Sequence, residues 1–227
     1  MPSKKSSVLL IYTGGTIGMM QDAHSGELKP FDFKSLTNQI PELKKFDLEL
    51  SSISFQKPID SSNMHPAVWV ELVKMIENNY QKYDGFVILH GSDTMSFTAS
   101  ALSFMLENLN KPVVLTGSQL PIGIIRTDGK ENLITAIEIA AAKEKGKPIV
   151  TEVCIYFEYK LYRGNRTFKY NSSHFDAFKS PNYPALAEAG VNISYNRNAL
   201  LKPSKKNLKV HVALENDIAV LKLFPGI

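Results

Sequence analysis

Apolar and polar positions along this chain fall into alternating blocks. Val8–Tyr12 is a continuous apolar run, as expected of a strand buried on both faces. Leu48–Phe55 ("LELSSISF") alternates and predicts a second strand. The stretch "HPAVWVELVKMIENNYQKY" then puts Val68, Leu72, Val73, Ile76 and Tyr80 on one helical face. Phe86–Leu89 predicts a third strand, and "SFTASALSFMLENL" a helix opened by a serine cap. Val113–Leu115 predicts a fourth strand. A helix follows from about Lys130 to Lys145, stopped by Gly146, and Ile149–Phe157 is the next strand. A β-α-β-α order of this kind predicts an α/β fold, a Rossmann-like, mostly parallel sheet with helices on both faces.

After Asn196 the texture changes to a Lys/Asn/Pro-rich stretch, followed by "LKVHVAL" and "IAVLKLF" joined by "END". These read as the first strands of something new, and the chain then stops at "PGI". The expected organisation is an amino-terminal α/β domain over 1–195, a linker over 196–209, and the truncated start of a second, smaller α/β domain over 210–227.

In an open parallel sheet, ligands bind beyond the carboxyl ends of the strands. The segments expected there are Thr13-Gly14-Gly15-Thr16, Asp60-Ser61-Ser62-Asn63, His90-Gly91-Ser92-Asp93-Thr94 and Thr116-Gly117-Ser118-Gln119, with "RGNRTFKYN" adding Lys169. Turns favour Ser, Gly and Asp for their own reasons, so one such loop carries little weight. Four loops converging on one edge carry much more. Neither phosphate-binding motif fits: the first loop has Thr13 where a dinucleotide fingerprint needs its first glycine, and Gly123 to Lys130 is one residue too long for a P-loop. A hydroxyl nucleophile remains, and it needs activation by a base or by charged neighbours. Lys169 with Asp93 is the candidate proton-handling pair. A plain ion pair is the simpler reading of the spacing alone.

Composition narrows the picture further. The chain has 227 residues, a net charge of +4 and a pI near 9.0, with 22 acids interspersed among 26 bases. The most basic stretch, "LKPSKKNLKV", fits a solvated linker better than a nucleic-acid surface. Cys154 is the single cysteine; it excludes an internal disulfide and reads as a small core residue. The opening "MPSKKSSVLLIY" has too short an apolar stretch for a secretory signal, and no run reaches the ~20 apolar residues of a membrane span. The expectation is therefore a cytoplasmic protein with neither a membrane nor a nucleic-acid partner. His24, His65, His90, His174 and His211 show no metal-ligand spacing. His90, at the buried end of a strand, is expected to be a hydrogen-bonded core residue.

"TGGTIGM", "DSSNM", "HGSDTM", "TGSQLPIG" and "LYRGNRTFK…FDAFKSPN", in this order, resemble the amino-terminal domain of bacterial type I (cytoplasmic) L-asparaginases. The likeness covers about Ser7 to Ser194 and continues weakly to Ile227. It implies two-domain subunits assembled as dimers or tetramers, and hydrolysis of the side-chain amide of L-asparagine without metal or cofactor. Residue by residue it makes Thr16 the nucleophile that forms an acyl-enzyme. It makes Ser92, Asp93 and Lys169 the group that handles protons and activates water. It also implies that Asp60, Ser61 and Ser62 hold the α-carboxylate and amine of the substrate, that Asp93 also faces the ammonium, and that Ser118 lines the same pocket. Backbone N–H groups near Thr16 and Ser92 would face the oxyanion. A zwitterionic amino acid does need a carboxylate for its ammonium and several donors for its carboxylate, and this edge offers both.

Three departures from the family pattern stand out. Ser92 replaces the usual threonine, no tyrosine occurs between Ile17 and Gln56, and most of the second domain is missing. The family's sites are completed near a neighbouring subunit's second domain, and some members carry an allosteric asparagine site there. Two other functions compete. One is the asparaginase-like subunit of a tRNA-dependent amidotransferase, favoured by the basic pI and disfavoured by the lack of an extra domain before Val8. The other is a non-catalytic aspartate- or asparagine-binding module.

Overall fold

The computed structural model describes residues 5–21, 28–30 and 40–226, with backbone only at 20–21 and 28–30. Its centre is an eight-stranded sheet. In chain order the strands are β1 (Ser6–Tyr12), β2 (Leu48–Ser54), β3 (Gly85–Leu89), β4 (Val113–Thr116), β5 (Val153–Phe157), β6 (Lys160–Arg163), β7 (Ala187–Ala189) and β8 (Ile193–Tyr195). Their order across the sheet is β8-β7-β6-β5-β4-β3-β1-β2. β1 to β5 run parallel, and β6, β7 and β8 are added antiparallel. The mostly parallel α/β sheet is as expected.

Among the described residues, three α-helices cover the sheet: α1 (Pro66–Asn79), α2 (Met95–Met105) and α3 (Gly129–Ala141). The apolar run of β1 explains why both faces are covered. Val8, Leu10 and Tyr12 pack with Leu133, Ala136 and Ile137 of α3 on one face. Leu9 and Ile11 pack with Leu72, Val73 and Ile76 of α1 and with Ala99 and Leu102 of α2 on the other. Because successive side chains of a strand point to opposite faces, only a run without polar interruptions can serve two helical layers. Cys154 is fully buried as a free thiol inside β5.

Several boundaries differ from expectation for local reasons. Gly146 does not end α3. The helix stops at Ala141, and Lys143–Glu144 turns back on Lys147–Pro148, with Lys145 at φ 50° and Gly146 at φ 77°. Two consecutive positive φ values suit a two-residue hairpin, and that is what the glycine serves. Ser96 does not cap α2, which begins at Met95; the Thr94 hydroxyl before it donates instead to the Ser61 carbonyl at 2.7 Å. That helix also ends at Met105, because Leu106–Glu107 leaves to pair with Lys209–Val210. This pairing is all the strand found in 208–214, and 218–224 forms no strand. Leu221, Leu223 and Phe224 lie exposed there. The strand at 149–157 begins only at Val153.

The connections place a topological switch point at β1. From β1 the chain moves outward to β2, then crosses through α1 to β3 on the opposite side of β1. A crevice opens at the carboxyl edge where the connections diverge. The loop after β1 sits in it.

Candidate active site

Three loops interlock at this crevice, and glycines make the fit possible. Gly14 (φ 137°) and Gly15 (φ 90°) adopt conformations that side chains disfavour. A Cβ on Gly14 would lie 2.1 Å from the Ile59 carbonyl oxygen, and one on Gly15 would lie 2.4 Å from the Gly91 nitrogen. A Cβ on Gly91 would lie 2.5 Å from the Ser61 hydroxyl. The loop after β1 thus touches the loop after β2 through Gly14 and the loop after β3 through Gly15. Thr13 reinforces the join: its hydroxyl donates to the Leu89 carbonyl at 2.9 Å, and its own carbonyl accepts from Ile59 N at 2.8 Å.

Thr16, half-buried, opens a short 3-10 turn, Thr16–Gly18. Tyr12 lies beneath this turn; its phenol donates to the Gly18 carbonyl at 3.2 Å, and burial pushes that phenol up to about 12. The segment relevant to the missing tyrosine falls largely outside the described residues, as does His24.

Ser92, Asp93 and Lys169 come together. The Lys169 amine donates to the Ser92 hydroxyl at 2.8 Å and to Asp93 Oδ1 at 2.7 Å. The lysine side chain is only 11% exposed, whereas that of Asp93 is 63% exposed. The amine is thus sheltered while its carboxylate partner faces solvent. Lys169 reaches this point from a two-residue strand, Phe168–Lys169, that pairs with Phe178–Lys179. The Ser92 hydroxyl also donates to Gln119 Oε1 at 3.1 Å.

Asp60, Ser61 and Ser62 form the turn that follows β2. The Asp60 carboxylate caps it, accepting from Ser62 N at 2.9 Å and from the Ser62 hydroxyl at 2.5 Å. These bonds, that from the hydroxyl first, hold the Asp60 carboxyl below the usual carboxylate range. Ser61 is buried, whereas Asp60 and Ser62 are exposed. Ser118 is also buried, and its hydroxyl donates to the Leu120 carbonyl at 2.6 Å. The side chain that reaches Ser92 from that loop is the next one, Gln119.

The sequence-recognition model of the amino-terminal asparaginase domain ("Asparaginase, N-terminal") matches residues 7–201. The chain belongs to the asparaginase family. It is 43% identical to L-asparaginase 1 of Escherichia coli (strain K12) over 99% of this chain and 65% of that protein. It is 40% identical to the 60 kDa lysophospholipase of Mus musculus over 97% of this chain and 42% of that protein. Among solved structures, the L-asparaginase I of Vibrio cholerae O1 superposes with a TM-score of 0.87 at 40% identity, covering 98% of this chain and 66% of that one. The chain therefore spans about two fifths to two thirds of the length of these relatives.

Further residues of this asparaginase domain support the loops, and apart from His90 none of them stood out in the sequence. His90 is fully buried beneath the Ser92 loop. Its Nδ1 lies 2.7 Å from the Gly91 carbonyl, which can only accept, so Nδ1 carries the proton. Nε2 then accepts from the Thr98 hydroxyl at 2.9 Å, and Thr98 accepts from the Trp69 indole at 3.0 Å. Burial holds the imidazole down at about 4. The expectation of a hydrogen-bonded core histidine is met; its partners on α1 and α2 have no signature in the sequence. Asp128 pins the neighbouring loop by accepting from Gln119 N at 2.9 Å and Leu120 N at 3.1 Å, although burial pushes its carboxyl up. Asn132 donates to the Gly117 carbonyl at 3.0 Å. The spacing Asp128, Asn132 at i, i+4 on a helix start was the available signal. A cleft of about 830 Å³ adjoins this loop, lined by Gln119, Ile124, Ile125, Arg126, His174 and Phe175 among others.

Among the described residues, no group of three or more His, Cys, Asp or Glu could hold a metal ion, and no helix is long and apolar enough to cross a membrane.

Proposed function

We propose that this chain is the catalytic domain of an L-asparaginase that hydrolyses the side-chain amide of L-asparagine to L-aspartate and ammonia through a threonine acyl-enzyme. One observation carries the reading. The Lys169 amine bridges the Ser92 hydroxyl and the Asp93 carboxylate, and the contact of Gly15 with Gly91 ties the Thr16 turn to that same loop. Thr16 Oγ1 attacks the amide carbon, and its proton goes to the departing nitrogen, which leaves as ammonia. Water held and polarised by Ser92 and Lys169 then adds to the ester carbonyl, its proton passes to the departing Thr16 Oγ1, and aspartate is released. The substrate ammonium faces the Asp60 and Asp93 carboxylates, and its α-carboxylate faces Ser61, Ser62 and nearby backbone N–H groups. Ser118 lines the pocket behind the amide.

Residues 1–195 form the catalytic unit, 196–209 the linker, and 210–227 the start of a second, smaller unit. The family match ending at residue 201 and the exposed apolar side chains of 218–224 support that division. A homo-oligomeric, cytoplasmic protein belongs to the same reading.

The test is ammonia release from L-asparagine, in the absence of tRNA, by the 227-residue chain alone and by the chain joined to the remaining part of E. coli L-asparaginase 1, each with and without Thr16→Ala. Turnover abolished by Thr16→Ala supports the proposal. Aspartate binding without turnover in both forms would replace it with the binding-module reading.

A further inference from the structure

Gln119 stands between the Ser92 hydroxyl and the adjoining cleft, and the surrounding bonds leave its carboxamide one orientation. The His174 carbonyl can only accept, so the group 3.1 Å from it must be Gln119 Nε2. Oε1 therefore faces Ser92 and can only accept, so the Ser92 proton points at Gln119. The lone pairs of Ser92 are then left for the Lys169 amine at 2.8 Å. The backbone of Gln119 is fixed independently by the buried Asp128 carboxylate. One acceptor-only carbonyl in the 171–175 loop thus dictates, through two bonds, where a hydroxyl hydrogen lies in the candidate active site.

We infer that Gln119 is a positioning residue for water activation: it holds the Ser92 proton toward the cleft, away from Lys169, so that an incoming water meets a preset hydroxyl. The inference rests on the asparaginase reading above. Without Gln119 the hydroxyl is free to rotate, and the water-dependent half of the reaction loses its preset partner while the attack by Thr16 does not. Deacylation is therefore the step affected.

The experiment compares wild type, Gln119→Met and Gln119→Glu in whichever form of the protein turns over asparagine. For Gln119→Met, kcat falls roughly 10- to 100-fold, less than the roughly 100- to 10,000-fold of a lost proton-transfer group because Ser92 itself remains, with KM changed by less than about threefold. Rapid mixing shows a burst of about one ammonia per site, because ammonia leaves before the slowed water step. Gln119→Glu discriminates further. Its ionised carboxylate repels the His174 carbonyl, but the protonated acid can donate to that carbonyl and accept from Ser92 as the amide does. The ratio of its rate to that of wild type therefore rises as pH falls. Taking the ratio cancels the titration of the surrounding groups, namely Lys169, Asp93, Asp128, His174 and Arg126. A Gln119→Met variant that loses rate without a burst, or a Gln119→Glu ratio flat with pH, overturns the inference. If wild type shows no turnover abolished by Thr16→Ala, the asparaginase reading itself fails, which is a distinct result.

Discussion

The buried imidazole of His90 makes stability depend on pH in a calculable way. In the folded chain it is held to about 4 by burial, against an ordinary value of 6.5. Lowering the pH therefore protonates His90 in the unfolded chain before the folded one. The unfolded state binds more protons over that window, so folding stability falls as pH drops below about 6.5 and this contribution levels off only below about 4. At about 1.36 kcal/mol per unit, the whole gap amounts to roughly 3 kcal/mol, most of which is lost between pH 7 and pH 4.5. Surface carboxylates titrate in the same range, so the measured quantity is a difference. Urea unfolding of wild type and of His90→Asn is followed at both pH values, the asparagine being able to donate to the Gly91 carbonyl in place of Nδ1. Wild type should lose roughly 2 kcal/mol more than the variant between pH 7 and pH 4.5. Equal losses in both proteins, or an NMR titration placing His90 near 6.5, would refute the assignment of a neutral, Nδ1-protonated imidazole beneath the Ser92 loop.

Two further substitutions probe the scaffold. Gly15→Ala places a methyl group 2.4 Å from Gly91 N at φ 90°. The conformational penalty and the clash together cost about 2–5 kcal/mol, and a Thr16 turn displaced from Ser92 lowers turnover roughly 100-fold. A thermal melt and the ammonia assay report both effects, and a Gly15→Ala protein with native melting and rate contradicts the loop geometry. On the opposite edge of the sheet, the Glu152 carboxylate accepts from Arg163 Nε at 2.6 Å and from Leu201 N at 2.8 Å, and its side chain is 4% exposed. Glu152→Ala should cost about 3–5 kcal/mol in a urea titration, because it strands a half-buried guanidinium; a loss below about 1 kcal/mol argues against a paired interior charge.

Much of the parallel sheet was legible in the chain itself. Runs such as Val8–Tyr12 and Phe86–Leu89 can satisfy two helical layers only as central strands, and the apolar spacing in α1 has one helical solution. The clustering of Thr16, Asp60 and Ser92 at one edge follows from the rule that parallel strands present their carboxyl ends together, whereas Lys169 reaches it from the separate Phe168–Lys169 pairing beyond the antiparallel β6. Local sequence could not say which way Gly146 would be used, since a helix stop and a hairpin turn ask for the same positive φ; the pairing of Lys143–Glu144 with Lys147–Pro148 decided it. Nor could it show β6 to β8, whose short antiparallel pairings depend on the edge already built by β5. The supporting bonds lie further out of reach. Trp69, Thr98 and His90 come from three separate elements, and Gln119 meets His174 across 55 residues. Hydrogen bonds need distances within a few tenths of an ångström and donors opposed to acceptors. Composition and periodicity therefore determined which groups reach the crevice, while tertiary packing alone decided how each proton in it is aimed.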